Sequence, residues 1–462
     1  MNNMKDTPVG KAFAVDGHYF YYDSLTNRMI EVTGEIYGEI GKMNALGVSE
    51  YLSQSIGDEM SMLFAKGFFS PPFLPDECRG VDGDVGRMLE RCVGSLVLQV
   101  TQDCNFRCRY CFFANDTGVV RNHEKKFMSE ATAKSAIDFL LAHSADSDAI
   151  TISFYGGEPL LAFDVIEKSV NYAKDLFVSK SPRFSITTNG SVMNGKIADF
   201  LAENSVSLLI SLDGPREIQN RHRKFSSDGS GTFDTVTKNI TLLRERHRHR
   251  EYFERHVMFN PVMFADEKYS DVISFFDSLG VPRENVRKQY ANMKGVDYDY
   301  DLFSSSIAGM PDYNRYSEFN AEGMQHIEET YRKKSLEPVE NFPSGGCVPG
   351  LIKLFVTTDG DFYPCEKVNE TDALKIGNLT RGFDIENVKR IADLKSLSYE
   401  RCRYCYAVRF CSMCVLHCTN PETGDIDKNI KDEYCDFTLK MSLATLKHQA
   451  KRYLSRREGD NT

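Results

Sequence analysis

The stretch Cys104-Asn-Phe-Arg-Cys108-Arg-Tyr110-Cys111 organises this sequence. It follows an apolar run, Leu96 to Thr101, whose composition predicts a buried strand, and it opens a loop. The cysteines are spaced by four and then three residues, so one short turn can place three thiolates around one face of a small metal cluster. Structural zinc sites are closed by four ligands, and iron–sulfur clusters normally have four thiolates. Three thiolates therefore predict either a cluster with a position open for a small molecule or half of a zinc site that is completed elsewhere.

The totals describe a globular chain without a membrane or nucleic-acid signature. Hydrophobic residues make up 41% of the 462 residues and charged residues 26%, which is ordinary for a globular protein, and the length allows several domains. The net charge of −10 makes nucleic acid a poor general partner. No apolar run approaches the roughly 18 residues that span a bilayer. The first residues lack the apolar core of a signal peptide, so we expect a cytoplasmic protein with no membrane partner.

The 13 cysteines are clustered, which favours metal binding over disulfides in a compartment that keeps thiols reduced. Cys78 and Cys92 stand alone and receive no role. The later cysteines are Cys347, Cys365, Cys402, Cys405, Cys411, Cys414, Cys418 and Cys435. They predict a second metal-binding region, for which paired zinc ribbons are the alternative because C-x2-C pairs alone favour zinc.

Residues 1–75 have the pattern of a small separate module. Short β-type runs are followed by helical spacing, and Asp16-Gly17 and Asn27 stand where hairpin turns are required. We predict strands at Ala12–Val15, His18–Asp23 and Arg28–Val32, and helices at Thr33–Met43 and Val48–Lys66. Ser70–Asp84 then has the proline and glycine content of a linker, and a short helix is expected at Val85–Cys92.

From Leu96 the sequence alternates between strand-like and helix-like segments, which predicts a parallel sheet. Strands are expected at Leu96–Thr101, Ile150–Tyr155, Phe184–Thr188, Ser207–Leu212, Arg255–Pro261 and Asn285–Tyr290. Helices are expected after a cap at Ser129 and at Asp164–Phe177, Gly195–Asn204, Phe233–His249, Ser270–Leu279 and Tyr316–Arg332. Six such units favour an open or partial barrel over the full eight. Active groups gather at the carboxyl ends of barrel strands, and the cysteine loop follows the first strand.

Three further segments stand at strand ends. Gly156-Gly157-Glu158-Pro159 follows the second strand. Two glycines let a backbone approach a ligand closely, although a plain tight turn is the alternative. Ser185-Ile-Thr187-Thr-Asn189-Gly190 and Ser211-Leu-Asp213-Gly214-Pro215 end the next two strands, and Arg223 lies 12 residues after Ser211.

These motifs, in this order, resemble the radical S-adenosylmethionine (SAM) superfamily, whose signature is C-x3-C-x2-C with an aromatic residue before the third cysteine. The resemblance implies that Cys104, Cys108 and Cys111 hold a 4Fe–4S cluster, that its open iron binds SAM, and that a 5′-deoxyadenosyl radical is released. It also implies that Arg223 pairs with the SAM carboxylate, a role that suits a bidentate guanidinium. The implied cofactor-binding residues are Tyr110, Gly156, Gly157, Glu158, Thr187, Asn189, Ser211, Asp213 and Arg223.

The C-terminal cysteines resemble the SPASM domain of radical SAM maturases, which carries two auxiliary 4Fe–4S clusters. By analogy, an outer set comprises Cys402, Cys405, Cys411 and Cys435. An inner set comprises Cys347, Cys365 and either Cys414 or Cys418. The choice stays open because the family expects a cysteine four residues after Cys411, and this chain has cysteines three and seven residues after it. The inner cluster would then have an open iron or use the remaining cysteine. An open iron could ligate a substrate thiolate.

Three strands followed by helices resemble the winged-helix peptide-recognition module of maturases that act on ribosomally made peptides. Such modules bind an extended leader by adding it as a strand to a sheet edge. The implied partners are a precursor peptide with a leader sequence and an electron donor such as flavodoxin or ferredoxin. A packing appendage and a nucleic-acid-binding wing are the alternatives.

The resulting hypothesis is a radical SAM maturase that joins a cysteine sulfur to a carbon of its precursor peptide in a thioether. Relatives with this layout also form carbon–carbon crosslinks, epimerise residues or mature a sulfatase. A zinc-binding scaffold or electron carrier is the non-enzyme alternative, and no catalytic base is assigned.

We therefore expect an α/β protein with a partial (β/α)6 radical SAM barrel, an N-terminal winged-helix-like module and a C-terminal cysteine-rich SPASM domain. The expected divisions are 1–75 for the recognition module, 76–94 for a linker and short helix, 95–293 for the barrel, 294–346 for a bridging region, 347–440 for the auxiliary-cluster domain and 441–462 for a C-terminal helix and tail.

Overall fold

The computed structural model describes residues 6–69, 74, 84–111, 123–245, 250–264, 267, 269–287, 289–290, 347–411 and 413–459. The predictions for Cys78, most of the linker, the helix Tyr316–Arg332 and the region 294–346 lie outside these residues.

The N-terminal module is a three-stranded antiparallel sheet followed by three helices. Its elements are β1 Gly10–Val15, β2 His18–Asp23, β3 Arg28–Val32, α1 Gly34–Leu46, α2 Val48–Leu52 and α3 Asp58–Ala65. Asp16 and Asn27, with φ of 50° and 52°, form the two hairpin turns as predicted. The prediction of one helix over Val48–Lys66 is wrong, because the chain leaves the helix after Leu52 and resumes only after Gly57, whose backbone is extended.

Both faces of this small sheet are covered. Side chains alternate along a strand, so Tyr21 and Val32 pack with the helices α1–α3 on one face. Phe13 and Phe20 pack on the other face against the C-terminal helix, Lys428–Gly459. The module is therefore held between its own helices and the far end of the chain.

The remaining strands are, in chain order, β4 Ser95–Thr101, β5 Phe106–Cys108, β6 Thr151–Gly156, β7 Arg183–Thr188, β8 Ser207–Ile210, β9 Arg223–Phe225, β10 Val257–Phe259, β11 Val262–Met263, β12 Gln289–Tyr290, β13 Leu354–Val356, β14 Asp361–Tyr363, β15 Gly377–Asn378 and β16 Gly382–Phe383.

The centre of the molecule is a nine-stranded sheet with the order β10-β8-β7-β6-β4-β13-β14-β15-β16. The run from β10 to β13 is parallel, which confirms the predicted α/β architecture with a central parallel sheet. Leu96, Leu98 and Phe154 are almost fully buried, as expected for parallel strands that are covered on both faces.

The sixth parallel strand of this sheet is not the predicted one. Asn285–Tyr290 forms β12, which pairs with β11 in a separate two-stranded sheet, and reaches β10 only through one isolated parallel bridge from Val286 to Phe259. The sixth position is taken by β13, which pairs in parallel with the opposite edge of β4. The apolar Leu354–Val356 segment is fully buried there, so the cysteine-rich C-terminal region extends the central sheet directly.

The predicted strand Arg255–Pro261 is wrong at its start. Arg255 belongs to a helix and pairs with Glu251, one turn earlier, at 3.0 Å between nitrogen and oxygen. Only Val257–Phe259 pairs in the sheet. The strand predicted to reach Leu212 also ends earlier, at Ile210. The predicted helix Phe233–His249 is present from Phe233 to Glu245, and residues 246–249 lie outside the described residues.

The remaining helices are α4 Val85–Arg91, α5 Glu130–Ala142, α6 Phe163–Leu176, α7 Gly195–Glu203, α8 Arg216–His222, α9 Phe233–Glu245, α10 Arg250–His256, α11 Tyr269–Ser278, α12 Ile385–Ala392, α13 Tyr399–Arg403 and α14 Lys428–Gly459. Helix α14 runs across the expected division at residue 440, and the division of the chain into domains stays a prediction. Among the described helices, none has both the length and the apolarity that a membrane span requires.

Replacing Ser129 by alanine should lower the free energy of unfolding by about 1 kcal/mol, because Ser129 caps α5. Its hydroxyl accepts a hydrogen bond from the Thr132 backbone N–H at 3.0 Å. Guanidinium unfolding of the variant measures the loss. Ser129→Asn, which retains a cap, is the control, and equal losses in the two variants would contradict the capping role.

Candidate functional site

The cysteine loop begins at the carboxyl end of β4, inside the parallel part of the central sheet. A short antiparallel pair, β5 with β9, holds the loop and sets Cys108 opposite Arg223. The Arg109 N–H donates to the His222 carbonyl at 2.9 Å and continues this pairing. The loop is therefore fixed both to its own strand and to the segment that follows α8.

The three thiols of the loop form one group. Burial raises the pKa of Cys104 to about 12, and Cys108 and Cys111 add to that shift because they lie near it. Burial likewise raises the pKa of Cys108 to about 11. Both shifts favour the protonated thiols, so a metal that binds Cys104 and Cys108 would have to displace their protons.

Nitrogen donors surround these sulfurs. The Phe106 backbone N–H donates to the Cys104 sulfur at 3.4 Å, and the Asn189 amide nitrogen lies 3.9 Å from the same sulfur. The Arg223 guanidinium lies 3.9 Å from the Cys108 sulfur. N–H donors and positive charge favour thiolates, so the residues present suit an anionic iron–sulfur group.

The two glycines of the Gly-Gly-Glu-Pro segment bring backbone against backbone. A methyl group on Gly156 would lie 2.0 Å from the Thr101 carbonyl oxygen, and one on Gly157 would lie 2.2 Å from that of Asp103. The Gly157 N–H donates to the Thr101 carbonyl at 3.1 Å, and the Glu158 N–H donates to the Asp103 carbonyl at 2.8 Å. In this structure the close approach that glycine permits is to the chain entering the cysteine loop.

Glu158 lies at the centre of this junction and is fully buried. It accepts hydrogen bonds from the Thr188 hydroxyl at 2.7 Å, the Asn189 N–H at 2.6 Å and the Leu160 N–H at 3.0 Å. Burial raises its pKa to about 7, and these three donors oppose that rise. The carboxyl group therefore ties the end of β7 to the segment that supports the cysteine loop.

Asp213, Arg223 and Tyr110 form a second buried cluster beside the thiols. Arg223 donates to both carboxylate oxygens of Asp213, at 2.9 and 3.0 Å, and the Tyr110 hydroxyl donates to the same carboxylate at 2.6 Å. The Val262 N–H also donates to Asp213, at 3.0 Å. The guanidinium expected to face the SAM carboxylate is thus paired with Asp213, and its contact with SAM stays a prediction.

Thr187 lies within β7, and Ser211 directly follows the end of the neighbouring strand β8. Thr187 is opposite Leu209 in the parallel register, two residues before Ser211. Both side chains are half-buried. Both lie near the carboxyl ends of β7 and β8, at the same edge of the sheet as Asn189 and Asp213, and their contact with SAM stays a prediction.

The C-terminal cysteines fall into two electrostatically linked groups. In the outer set, burial raises the pKa of Cys405 to about 12, and the three other members of the set raise it further. In the inner set, burial raises the pKa of Cys347, and the next contribution comes from Cys414. Cys418 is buried, and its pKa of about 12 reflects burial first and also the nearness of Cys414, Cys435 and Cys411. Cys414 therefore acts electrostatically on Cys347 of the inner set, while Cys418 is affected both by Cys414 and by Cys411 and Cys435 of the outer set.

Lys431 provides a test of whether the outer set suits a metal cluster. It is 2% exposed, and its ammonium group has no hydrogen-bond partner among the described residues. Burial raises the pKa values of the Cys402 and Cys435 thiols, and Lys431 opposes both rises. A buried ammonium without a partner is costly unless an anion lies beside it. A thiolate-bound cluster would supply that negative charge. In the described part of the chain, no three His, Cys, Asp or Glu side chains are arranged to hold a single metal ion.

The sequence interpretation did not nominate three side chains that the structure brings to these sites. Thr188 binds Glu158, and Lys353 pairs with Glu366 at 2.9 Å, close enough to affect the pKa values of Cys347 and Cys365. Thr188 adjoins Asn189 within a quoted motif, and Glu366 directly follows Cys365. Thr188 and Glu366 could have been nominated because each adjoins a motif residue, whereas no sequence feature pointed to Lys353.

Residues 98–279 match the Radical SAM superfamily. The radical SAM cyclopropyl synthase TigE of Paramaledivibacter caminithermalis is 22% identical over 449 residues, which cover 91% of this chain and 91% of TigE. A cysteine-type anaerobic sulfatase-maturating enzyme of Clostridium perfringens (strain 13) is 27% identical over 369 residues, covering 74% of this chain and 92% of that enzyme. These matches confirm the predicted radical SAM domain and the relation to maturases.

The fold is also similar to a solved structure. Native anSMEcpe with bound AdoMet and Cp18Cys peptide superimposes with a TM-score of 0.53 at 20% identity, over 76% of this chain and 99% of that one. At this identity the likeness concerns the fold alone, and it agrees with the α/β radical SAM fold inferred above.

Proposed function

Because residues 98–279 are a radical SAM domain, we propose that this protein modifies a ribosomally made precursor peptide, beginning with the abstraction of a hydrogen atom by a 5′-deoxyadenosyl radical. The observation that carries the proposal is the group of three linked thiols at the carboxyl end of β4. The sulfatase-maturating relative acts on a protein, by its name, which supports a peptide substrate. The cysteine content supports a reducing, cytoplasmic location.

In this proposal Cys104, Cys108 and Cys111 hold the first 4Fe–4S cluster. When bound, the cluster and SAM supply a carbon radical, and the auxiliary clusters supply an acceptor for one electron. Asn189 donates toward the Cys104 sulfur and Arg223 toward the Cys108 sulfur, so both residues favour the thiolate form of the ligands. The residues that would bind SAM are Tyr110, Gly156, Gly157, Glu158, Thr187, Asn189, Ser211, Asp213 and Arg223. Flavodoxin or ferredoxin would deliver the electron.

The auxiliary clusters would be held by the outer set, Cys402, Cys405, Cys411 and Cys435, and by an inner set. The nearness of Cys414 to Cys347 supports Cys414 rather than Cys418 as the third inner ligand. Three inner thiolates leave one iron of a 4Fe–4S cluster without a cysteine. Binding at that iron would keep a substrate cysteine deprotonated and close to the carbon that has lost its hydrogen.

We infer from this open position that the product is a thioether between a cysteine sulfur and a carbon of the same peptide. Its formation removes one hydrogen atom from carbon, one proton from sulfur and one electron. A carbon–carbon ring is the second candidate, because the relative that spans 91% of this chain is a cyclopropyl synthase. Both products lack two hydrogen atoms relative to the precursor, but only the thioether consumes a thiol.

The N-terminal module would bind the leader of the precursor along the free edge of β3. A cavity of about 660 Å³ runs beside residues 29–33 and is flanked by Glu59 of α3 and Tyr453 of α14. In the described part of the chain, β3 pairs only with β2, so its other edge has backbone donors and acceptors for an added strand. This cavity is called the β3 groove below.

The test is anaerobic turnover of reconstituted protein with SAM, dithionite and a cysteine-rich peptide encoded beside its gene. We expect 5′-deoxyadenosine, a peptide lighter by two hydrogen atoms, and one cysteine that iodoacetamide no longer alkylates. Iron analysis should give about 12 atoms per chain with matching sulfide. If every cysteine of the lighter peptide is still alkylated, the carbon–carbon product replaces the thioether. Zinc without iron, or no 5′-deoxyadenosine, would reject the enzyme assignment.

A further inference from the structure

We infer that filling the outer cysteine set with its metal cluster orders the β3 groove, so that the metal site controls the peptide site. The inference rests on the proposed function and adds a link between two of its parts. It is carried by a set of contacts between the β2–β3 hairpin, called the hairpin below, and the loop from Cys405 to Cys411.

The first link is a buried polar contact between the hairpin and that loop. Arg409 is 6% exposed and donates to the Ser24 carbonyl at 2.5 Å and the Leu25 carbonyl at 3.2 Å. The Ser24 hydroxyl, also buried, donates back to the Tyr406 carbonyl at 2.8 Å. Ser24 and Leu25 belong to the turn that joins β2 to β3, so the loop holds the turn from which β3 begins.

The second link is a contact between two rings on the same two segments, of which Tyr22 is buried and Phe410 half-buried. The Tyr22 ring of β2 packs against the Phe410 ring, with 5.2 Å between centroids. Phe410 directly precedes Cys411, and Tyr406 directly follows Cys405. The residues that dock the hairpin, Tyr406, Arg409 and Phe410, therefore lie among the five residues between two outer-set cysteines. Ligation at Cys405 and Cys411 would fix both ends of this segment.

The third link is helix α14, which belongs to both sites. It carries Cys435 near its start and Tyr453, a wall of the β3 groove, about 27 Å farther along the helix. Leu446 and Ala450, between these positions, are buried against Phe20 and its neighbours on the module's sheet. The Tyr406 hydroxyl donates to the Leu439 carbonyl at 2.6 Å, so the loop and the helix are also joined to one another.

These contacts give metal binding a direct effect on the groove. Ligands that bind only the ordered form of a site stabilise that form, and metal binding is often coupled to folding in this way. Without the cluster, the four half-buried thiols no longer share a partner, and the loop between Cys405 and Cys411 should move more, because only its protein contacts then hold it. Because the hairpin turn rests on that loop, the hydrogen bonds between β2 and β3 should break more often. Arg409 is then a positioning residue for the groove.

Hydrogen exchange measured by mass spectrometry on the reconstituted full chain tests the link without any peptide. We expect backbone amides of residues 18–32 to exchange about tenfold faster in Cys405→Ala and in Arg409→Ala than in the wild type. Cys108→Ala, which removes a ligand of the first cluster only, should leave that segment unchanged. Ser24→Ala removes one docking hydrogen bond and should give a smaller increase.

Amides of β6, residues 151–156, report on the central sheet in the same experiment. If their exchange also accelerates in Cys405→Ala, that variant has lost its fold. The exchange of residues 18–32 in Arg409→Ala and Ser24→Ala then decides whether the loop orders the hairpin. Unchanged exchange of residues 18–32 in Arg409→Ala would overturn the link. The turnover assay is independent of this result: failure to modify a peptide would reject the proposed function, while the exchange data would still decide the coupling.

Discussion

After replacement of Cys108 by alanine, we expect no 5′-deoxyadenosine above the background of a protein-free reaction. Cys108 is the central thiol of the loop, and its neighbours Cys104 and Cys111 are close enough to alter its surroundings electrostatically. Two remaining thiolates cannot hold a cluster that is already one ligand short of the usual four. The loss should therefore be complete rather than partial. Chromatography of a reaction with SAM and dithionite measures it.

The control is a cysteine outside the predicted ligand sets. Cys92 is half-buried at the end of α4. It lies outside the cysteine loop, and it is not among the groups that shift the pKa of Cys104. Cys92→Ala should form 5′-deoxyadenosine at the rate of the wild type. Iron content separates the possible causes: Cys108→Ala should lose about four irons per chain and retain the auxiliary clusters. Undiminished SAM cleavage in Cys108→Ala would refute the assignment of the first cluster.

The sequence was most informative for features that depend only on residues close together in the chain. The apolar run predicted at Leu96–Thr101 is β4, and the expected helix cap at Ser129 is present, because both depend on neighbouring residues alone. The grouping of the three loop thiols could also be predicted, since seven residues of chain cannot separate them far. Local spacing therefore fixes both the first strand and the first candidate ligand set.

Contacts between distant segments were not predictable in the same way. The pairing of β13 with β4 joins residues more than 250 positions apart, and nothing in either apolar segment names its partner. The pairing of Arg223 with Asp213 had the same difficulty, because a guanidinium that suits a ligand carboxylate suits a protein carboxylate equally. The docking of α14 on the N-terminal sheet depends on complementary apolar faces, which the sequence presents without saying which two meet.

For the two glycines, the sequence predicted a close approach of the backbone but did not identify the group that approaches. Gly156 and Gly157 were expected to permit a close backbone approach, and the structure has one. The approaching group in the structure is the chain just before Cys104, which hydrogen bonds to the Gly-Gly-Glu segment twice. The segment thus supports the cysteine loop whether or not its backbone also contacts a ligand.

This support leads to the second large effect: Gly157→Ala should lower the free energy of unfolding by about 3 kcal/mol and reduce SAM cleavage sharply. The added methyl group would lie 2.2 Å from the Asp103 carbonyl oxygen and 2.5 Å from its carbon, and backbone atoms cannot rotate away as a flexible side chain does. Relief requires the segment before Cys104 to move. That movement would lengthen the bond from the Glu158 N–H to the Asp103 carbonyl, now 2.8 Å.

Gly38→Ala is the matched control, because it makes the same chemical change where no atom lies within 4 Å of the new methyl group. Gly38 is inside α1, where alanine is the better helix former, so this variant should be more stable by about 0.5–1 kcal/mol. Denaturant unfolding and 5′-deoxyadenosine formation should be measured on both variants. A Gly157→Ala protein with wild-type stability and activity would mean that the cysteine loop can shift freely, and the rigid junction between it and Glu158 would then not be needed to hold the thiols in place.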